Sequence, residues 1–244
     1  MRPRRIETPD TAAMSSVTEA VAKRAASILQ RCEAAAEMAG RNSKAVNLIA
    51  ASKTQSPDRV RAAWQGGIRH FGENYLQEAL AKQAELSDLP ICWHFIGRVQ
   101  SNKTRDVAAH FDWVHTVDRV KIARRLSAQR PHYAKDLNLC IQVNVDDEAG
   151  KSGVRLDEVA TLAGEIAGLP KVRLRGLMCL PAVREDFDAQ RLPFARMREA
   201  LEQLQAEGIQ LDTLSMGMTA DYAAAIHEGA TIVRIGTALF GART

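Results

Sequence analysis

Apolar positions spaced three and four apart mark the first element of the chain. Val17, Val21, Ala25, Ile28, Cys32 and Ala36 fall on one helical face, and Gly40 ends the run. Ser16-Val17-Thr18-Glu19 has the spacing of a capping box, in which hydroxyl and carboxylate each accept a backbone N–H. The pattern predicts an amphipathic helix there, with residues 1–14 as a disordered tail.

Downstream the period alternates. Short apolar runs predict strands at residues 46–52, 68–71, 91–96, 113–116, 138–145, 174–178, 211–215 and 231–235. Helical faces fall between them. The first is opened by Ser56-Pro57 and closed by Gly66-Gly67. Others span residues 75–86, 101–110, 120–129, 156–167, 194–207 and 221–228, with a last turn at 237–240. Strands that alternate with helices in this way predict an α/β fold, a single (β/α)₈ TIM barrel with an extra N-terminal helix. A doubly wound open sheet is the alternative. No linker or repeat interrupts the pattern, so residues 15–244 read as one domain.

Composition narrows the function. Hydrophobic residues make up 46% of the 244 and charged residues 25%, ordinary for a soluble globular protein. No apolar run approaches the roughly 20 residues of a membrane span. The basic start, Met1 to Arg5, leads into polar residues and is no secretory signal. Cys32, Cys92, Cys140 and Cys179 form no CxxC pair, so they read as reduced thiols of a cytoplasmic protein, without a metal site. The net charge of +4 suits an anionic small ligand. Nucleic acid is not expected as a partner, because no basic run is interleaved with aromatics.

The barrel reading places a site at the C-terminal strand ends. Those ends carry Lys53, Asn74, His94, His115, Asn144, Met178, Ser215 and Arg234. Lys53 closes an apolar run, where desolvation lowers an amine's pKa and makes it a nucleophile toward carbonyl compounds. The plainer reading is a lysine leaving for solvent. Ser215-Met216-Gly217-Met218-Thr219 and Arg234-Ile235-Gly236-Thr237 follow strands seven and eight, where such barrels bind phosphate. Turn chemistry alone also favours glycine and hydroxyl residues there. Asn74 is a ligand contact or a helix cap, and His94 a ligand contact or a satisfied interior histidine. Gly150-Lys151-Ser152-Gly153 imitates the end of a Walker phosphate loop, but the motif's first glycine would fall on Val145. A nucleoside triphosphatase is excluded on that ground.

Several segments together resemble the pyridoxal phosphate homeostasis protein family. They are Ala51-Ser52-Lys53-Thr54, Phe71-Gly72-Glu73-Asn74-Tyr75, Trp93-His94-Phe95-Ile96-Gly97, Lys151-Ser152-Gly153, Ser215-Met216-Gly217-Met218 and Val233-Arg234-Ile235-Gly236-Thr237. The resemblance runs from about residue 15 to the C-terminus. It implies the alanine racemase N-terminal barrel (fold type III of pyridoxal phosphate proteins), with the cofactor as a Schiff base on Lys53. It further implies phosphate contacts at Ser215, Gly217, Met218, Gly236 and Thr237, Arg234 at the pyridine nitrogen, and Asn74, His94 and Met178 as pocket wall. Ala220 and Arg98 depart from the family pattern. The implied role is a monomeric carrier in pyridoxal phosphate homeostasis, in transient contact with apo-enzymes. Little turnover is expected, because racemisation needs proton donors on both faces and the chain leaves no room for the racemase's second domain. An amino-acid racemase and a cofactor-free lysine aldolase are the competing enzymes.

Overall fold

Strands buried on both faces read as unbroken apolar runs. Eight such strands form: β1 (Asn47–Ala51), β2 (His70–Glu73), β3 (Cys92–Phe95), β4 (Trp113–Val117), β5 (Leu137–Val143), β6 (Val172–Cys179), β7 (Thr213–Ser215) and β8 (Ile232–Ile235). The computed structural model describes residues 11–241. All the strands are parallel, and they follow sequence order around a closed barrel. β8 returns to β1, pairing Val233 with Leu48 and Arg234 with Ile49. Closure removes the open-sheet alternative.

The helices are α1 (Thr11–Met38), α2 (Pro57–Gln65), α3 (Leu76–Glu85), α4 (Thr104–His110), α5 (Val120–Gln129), α6 (Val159–Ala167), α7 (Phe187–Ala206), α8 (Tyr222–His227) and α9 (Thr237–Phe240). Two boundaries correct the expectation. α1 already runs through residues 11–14, so the Ser16–Glu19 pattern lies inside the helix and is no cap. Ala12, Ala13 and Met14 carry the helix back past it, as good helix formers do. The rest of the expected tail, residues 1–10, lies outside the described residues. α7 begins at Phe187, because Asp186 caps it by accepting from the Ala189 N–H at 2.8 Å. Pro193 stands within this helix and does not start it.

α1 buries the predicted face, with Val21, Ala25, Ile28, Cys32 and Ala36 in the core. It packs on α2, α8 and α9. Arg41, just beyond it, donates to the carbonyls of Ile226 and Ala230 at 2.7 and 2.8 Å. Arg24 donates to the Leu239 carbonyl at 2.7 Å, and Arg59 of α2 donates to the Phe240 carbonyl. α9 is thus held by two arginines from the start of the chain. At Gly66, which ends α2, a Cβ would stand 2.5 Å from the Ala22 carbonyl oxygen. Gly66→Ala must therefore push α1 away. We expect it to cost about 1–3 kcal/mol, as overpacking does, read as a lower urea midpoint; an unchanged midpoint would show that α1 is not seated this closely.

The barrel interior is unusually polar. Branched apolar side chains usually fill such interiors. Here His94, His115, Ser215 and Arg234 are all buried. Gly72 lets two apolar side chains close in beside this polar interior: a Cβ there would lie 2.8 Å from Ile49 Cγ2 and from Ile96 Cδ1.

Candidate cofactor site

A cavity of about 710 Å³ opens where the strands end. β1 and β2 lead into Lys53 and Asn74 on its wall. β6 supplies Met178, and the loop after β7 supplies Met218. β8 and the start of α9 supply Arg234, Gly236 and Thr237. These seven expected residues therefore converge, although they come from opposite ends of the chain.

The other three do not reach the cavity wall. His94 sits deeper, 1% exposed, with both ring nitrogens engaged: Nε2 lies 2.9 Å from His70 Nδ1, and Nδ1 lies 2.9 Å from His115 Nε2. It is the satisfied interior histidine, not a pocket wall. The Ser215 hydroxyl accepts from Arg234 Nη1 at 2.7 Å and lies 2.9 Å from His115 Nδ1. It positions the arginine and is not aimed at a phosphate. Gly217 has φ +93°, and a Cβ there would stand 2.6 Å from Ala225 Cβ, so its task is to turn the loop against α8. The Met218 N–H is likewise taken, by Asp221 Oδ1 at 2.6 Å, although Met218 itself lines the cavity.

A polar column thus runs through the barrel from His70 by way of His94, His115 and Ser215 to Arg234. Arg234 Nη2 also donates to the Cys179 carbonyl at 2.8 Å. Burial lowers the pKa of Arg234, yet a guanidinium stays charged and can only donate. Burial and the facing Arg234 cation push His115 down to about 3, and burial holds His94 well below the ordinary histidine range. Burial also keeps the thiols of Cys140 and Cys179 protonated, both pushed up to about 12.

Behind Lys53 the backbone is clamped. Lys82 of α3, 4% exposed, donates to the Ser52 carbonyl at 2.6 Å and to Glu73 Oε1 at 2.8 Å, and it pairs with Glu78. Ser52 Oγ donates to the same Glu73 oxygen at 2.6 Å. Burial raises the Glu73 pKa, with Lys82 and Ser52 opposing. Thr54 then turns at φ +64°, a region β-branched residues avoid, with its N–H given to Glu78. Strain of this kind persists only where the surroundings impose it. The clamp and the turn together place Lys53.

The donor set suits one class of ligand. Asn74 Oδ1 and Gln55 Oε1 are buried without a partner among the described residues, and both residues line the cavity. Each needs a donor. At the start of α9 the Leu239 and Phe240 N–H groups bond to the Gly236 carbonyl, while those of Thr237 and Ala238 precede any carbonyl that could accept within the helix, and Gly236 lies close against Ala51. Residues 25–244 match the family described as alanine racemase, N-terminal domain. A pyridoxal phosphate homeostasis protein of Pseudomonas aeruginosa is 56% identical over 230 residues, which cover 94% of this chain and 97% of that one. This chain belongs to the pyridoxal phosphate homeostasis protein family. A member from Escherichia coli K12 is 45% identical over 91% of this chain and 97% of its own. PipY of Synechococcus elongatus, solved with PLP bound, superposes with a TM-score of 0.77 at 37% identity, over 91% of this chain and 100% of its own. Alanine racemase of Corynebacterium glutamicum shares the fold at a TM-score of 0.68 and 16% identity, over 93% of this chain and 62% of its own.

Sequence reasoning missed some of the family barrel's cavity wall. Gln55 lies just beyond Lys53 and was given no role. Lys151 and Ser152 entered only as a failed phosphate-loop pattern and as part of the family resemblance, with no place at the site. They reach the cavity because the loop doubles back, with Val154 bridging to Val143. Gly153, at φ +121°, permits this, since a Cβ there would meet the Asn144 nitrogen at 2.7 Å.

Proposed function

We propose that the chain binds pyridoxal 5'-phosphate covalently through Lys53 and holds it for delivery to cytoplasmic PLP-dependent apo-enzymes, as a monomer and without turnover of its own. The observation that carries this is the meeting of Lys53, Arg234 and the α9 start on one cavity. An amine, a fixed cation and free backbone donors answer the aldehyde, the pyridine nitrogen and the phosphate of that cofactor. When bound, the cofactor supplies an electron sink. Arg234 keeps that sink weak, because a group that only donates leaves the pyridine nitrogen unprotonated. Ser215 and the Cys179 carbonyl hold Arg234 in that duty. Gly236 and Thr237 take the phosphate, while Asn74 and Gln55 offer acceptors to the ligand's remaining donors. Among the described residues no helix is long and apolar enough to cross a membrane.

The test is the visible spectrum of the purified protein and of Lys53→Ala, before and after borohydride. The wild type should be yellow, borohydride should bleach it, and the variant should lack the band. A wild type that stays colourless with added pyridoxal phosphate overturns the cofactor reading. Cα–H exchange of L-alanine in deuterated buffer should stay at the uncatalysed rate; exchange abolished by Lys53→Ala would make the chain an enzyme.

A further inference from the structure

At the end of the barrel opposite the cofactor cavity, three ligand atoms of metal-binding type converge. β2 begins with His70 and β3 with Cys92, and the two residues are register partners. His94 follows Cys92 by two residues on the same strand, so both project from one face. His70 Nδ1 lies 2.9 Å from His94 Nε2, and Cys92 Sγ lies 3.4 Å from that same nitrogen. All three atoms fall within 4.8 Å of one another. We propose that His70 Nδ1, Cys92 Sγ and His94 Nε2 bind a borderline-soft divalent cation of the Zn²⁺ class, with solvent in the fourth position.

The geometry is close to what such an ion needs. Tetrahedral Zn²⁺ with Zn–N of about 2.0–2.1 Å and Zn–S of about 2.3 Å sets N···N near ~3.3 Å and N···S near ~3.6 Å. The His70–His94 and Cys92–His94 pairs need to open by only a few tenths of an ångström, while His70 Nδ1 and Cys92 Sγ, within 4.8 Å of each other, draw in toward ~3.6 Å. Two imidazoles and a thiolate select Zn²⁺ over Mg²⁺ or Ca²⁺, which prefer oxygen. The outer shell is also in place. His94 Nδ1 is bonded to His115 Nε2, which fixes the ring and leaves Nε2 for the ion. Burial and the neighbouring Asp112 carboxylate push the Cys92 thiol up to about 12, so the ion has to displace a firmly held proton. Binding is balanced as follows. The His70 Nδ1–His94 Nε2 hydrogen bond breaks, and two N–metal bonds and one S–metal bond replace it and metal–water bonds. The Cys92 thiol proton goes to solvent, and the histidines stay neutral with their protons on the far nitrogens, His70 Nε2 and His94 Nδ1. His70 and Cys92 are half-buried, so the ion can enter from solvent without opening the barrel.

The inference is independent of the cofactor reading, and its test uses Co²⁺, which reports thiolate ligation in its spectrum. The full chain, stripped with chelator, is titrated with Co²⁺. One equivalent should produce a thiolate-to-cobalt charge-transfer band in the near ultraviolet together with tetrahedral ligand-field bands at wavelengths beyond the cofactor's absorption. One proton should be released per ion, and Zn²⁺ should displace the cobalt and abolish the bands. Cys92→Ser should lose the charge-transfer band while keeping its circular dichroism spectrum and its yellow colour. His70→Ala should weaken binding by at least tenfold. Absence of a one-equivalent band in the wild type, or the same band in Cys92→Ser, overturns the proposal.

Discussion

Lys82→Met is expected to destabilise the protein by about 3–5 kcal/mol, the cost of removing one partner from a buried ion pair. The substitution keeps the length and the apolar stem of the side chain. It removes the ammonium that serves Glu73, Glu78 and the Ser52 carbonyl. Glu73 is fully buried, and its Oε2 already lacks a partner among the described residues. Without Lys82 its charge has only the Ser52 hydroxyl for support. Glu73→Gln in the Lys82→Met background should recover a large part of the loss, because the stranded charge disappears. Urea unfolding of the two single variants and the double variant closes the cycle. If Lys82→Met loses less than about 1 kcal/mol, the range of an exposed pair, the clamp is not the buried structure described. The Ser52 carbonyl stands one residue before Lys53, so Lys82→Met should also weaken the visible band in proportion to the looseness it introduces.

Acid should weaken the fold through the barrel's histidines. His94 and His115 are fully buried and neutral, with pKa values held low by burial. The unfolded chain protonates them near the ordinary value of about 6.5. Below that pH the unfolded state binds more protons than the native state, so stability falls as pH falls. At pH 8 both states are neutral and the histidines contribute no pH dependence. At pH 5.5 each of the two contributes a loss on the order of 1 kcal/mol, a few kcal/mol together. His70 is lowered in the same direction. Glu73 works the other way, because its raised pKa lets the native state take up a proton above the ordinary carboxyl range and offsets part of the loss. The charged or titratable neighbours are His70, Cys92 and Arg234, with Asp112 beyond. Urea midpoints of chelator-treated protein at the two pH values measure the effect. A flat profile would mean that the column titrates in the folded state much as it does when unfolded.

The alternation of strands and helices was legible because a parallel barrel strand needs apolar residues on both faces. Lys53 and Arg234 were legible for the opposite reason, as charges closing runs in which a charge is costly. His94 and Ser215 were misplaced because the order of residues along a strand gives parity but not depth. The stagger of neighbouring strands decides whether an inward residue meets the cavity or lies a layer below it. Parity put both inside, and register sank them under Arg234. The role of Lys82 was hidden because a lysine on an amphipathic helix ordinarily points to water. Its partner, Glu73, lies on a strand nine residues earlier. The α7 start was set too late, because the Asp186 cap was overlooked.

The pinning of α9 has a consequence for the order of events during synthesis. The cavity needs Gly236 and Thr237, and α9 is seated by Arg24 and Arg59, Arg24 lying 215 residues from its acceptor. A nascent chain emerging from the ribosome can form α1, α2 and the early strands as each appears, yet it owns no complete cofactor site until residue 240 has cleared the exit tunnel. On the proposed reading, loading therefore waits for α9 to dock. On that reading a half-made barrel offers Lys53 without Arg234 and the start of α9 in place, and the ligand gains little by lodging there before the fold is whole.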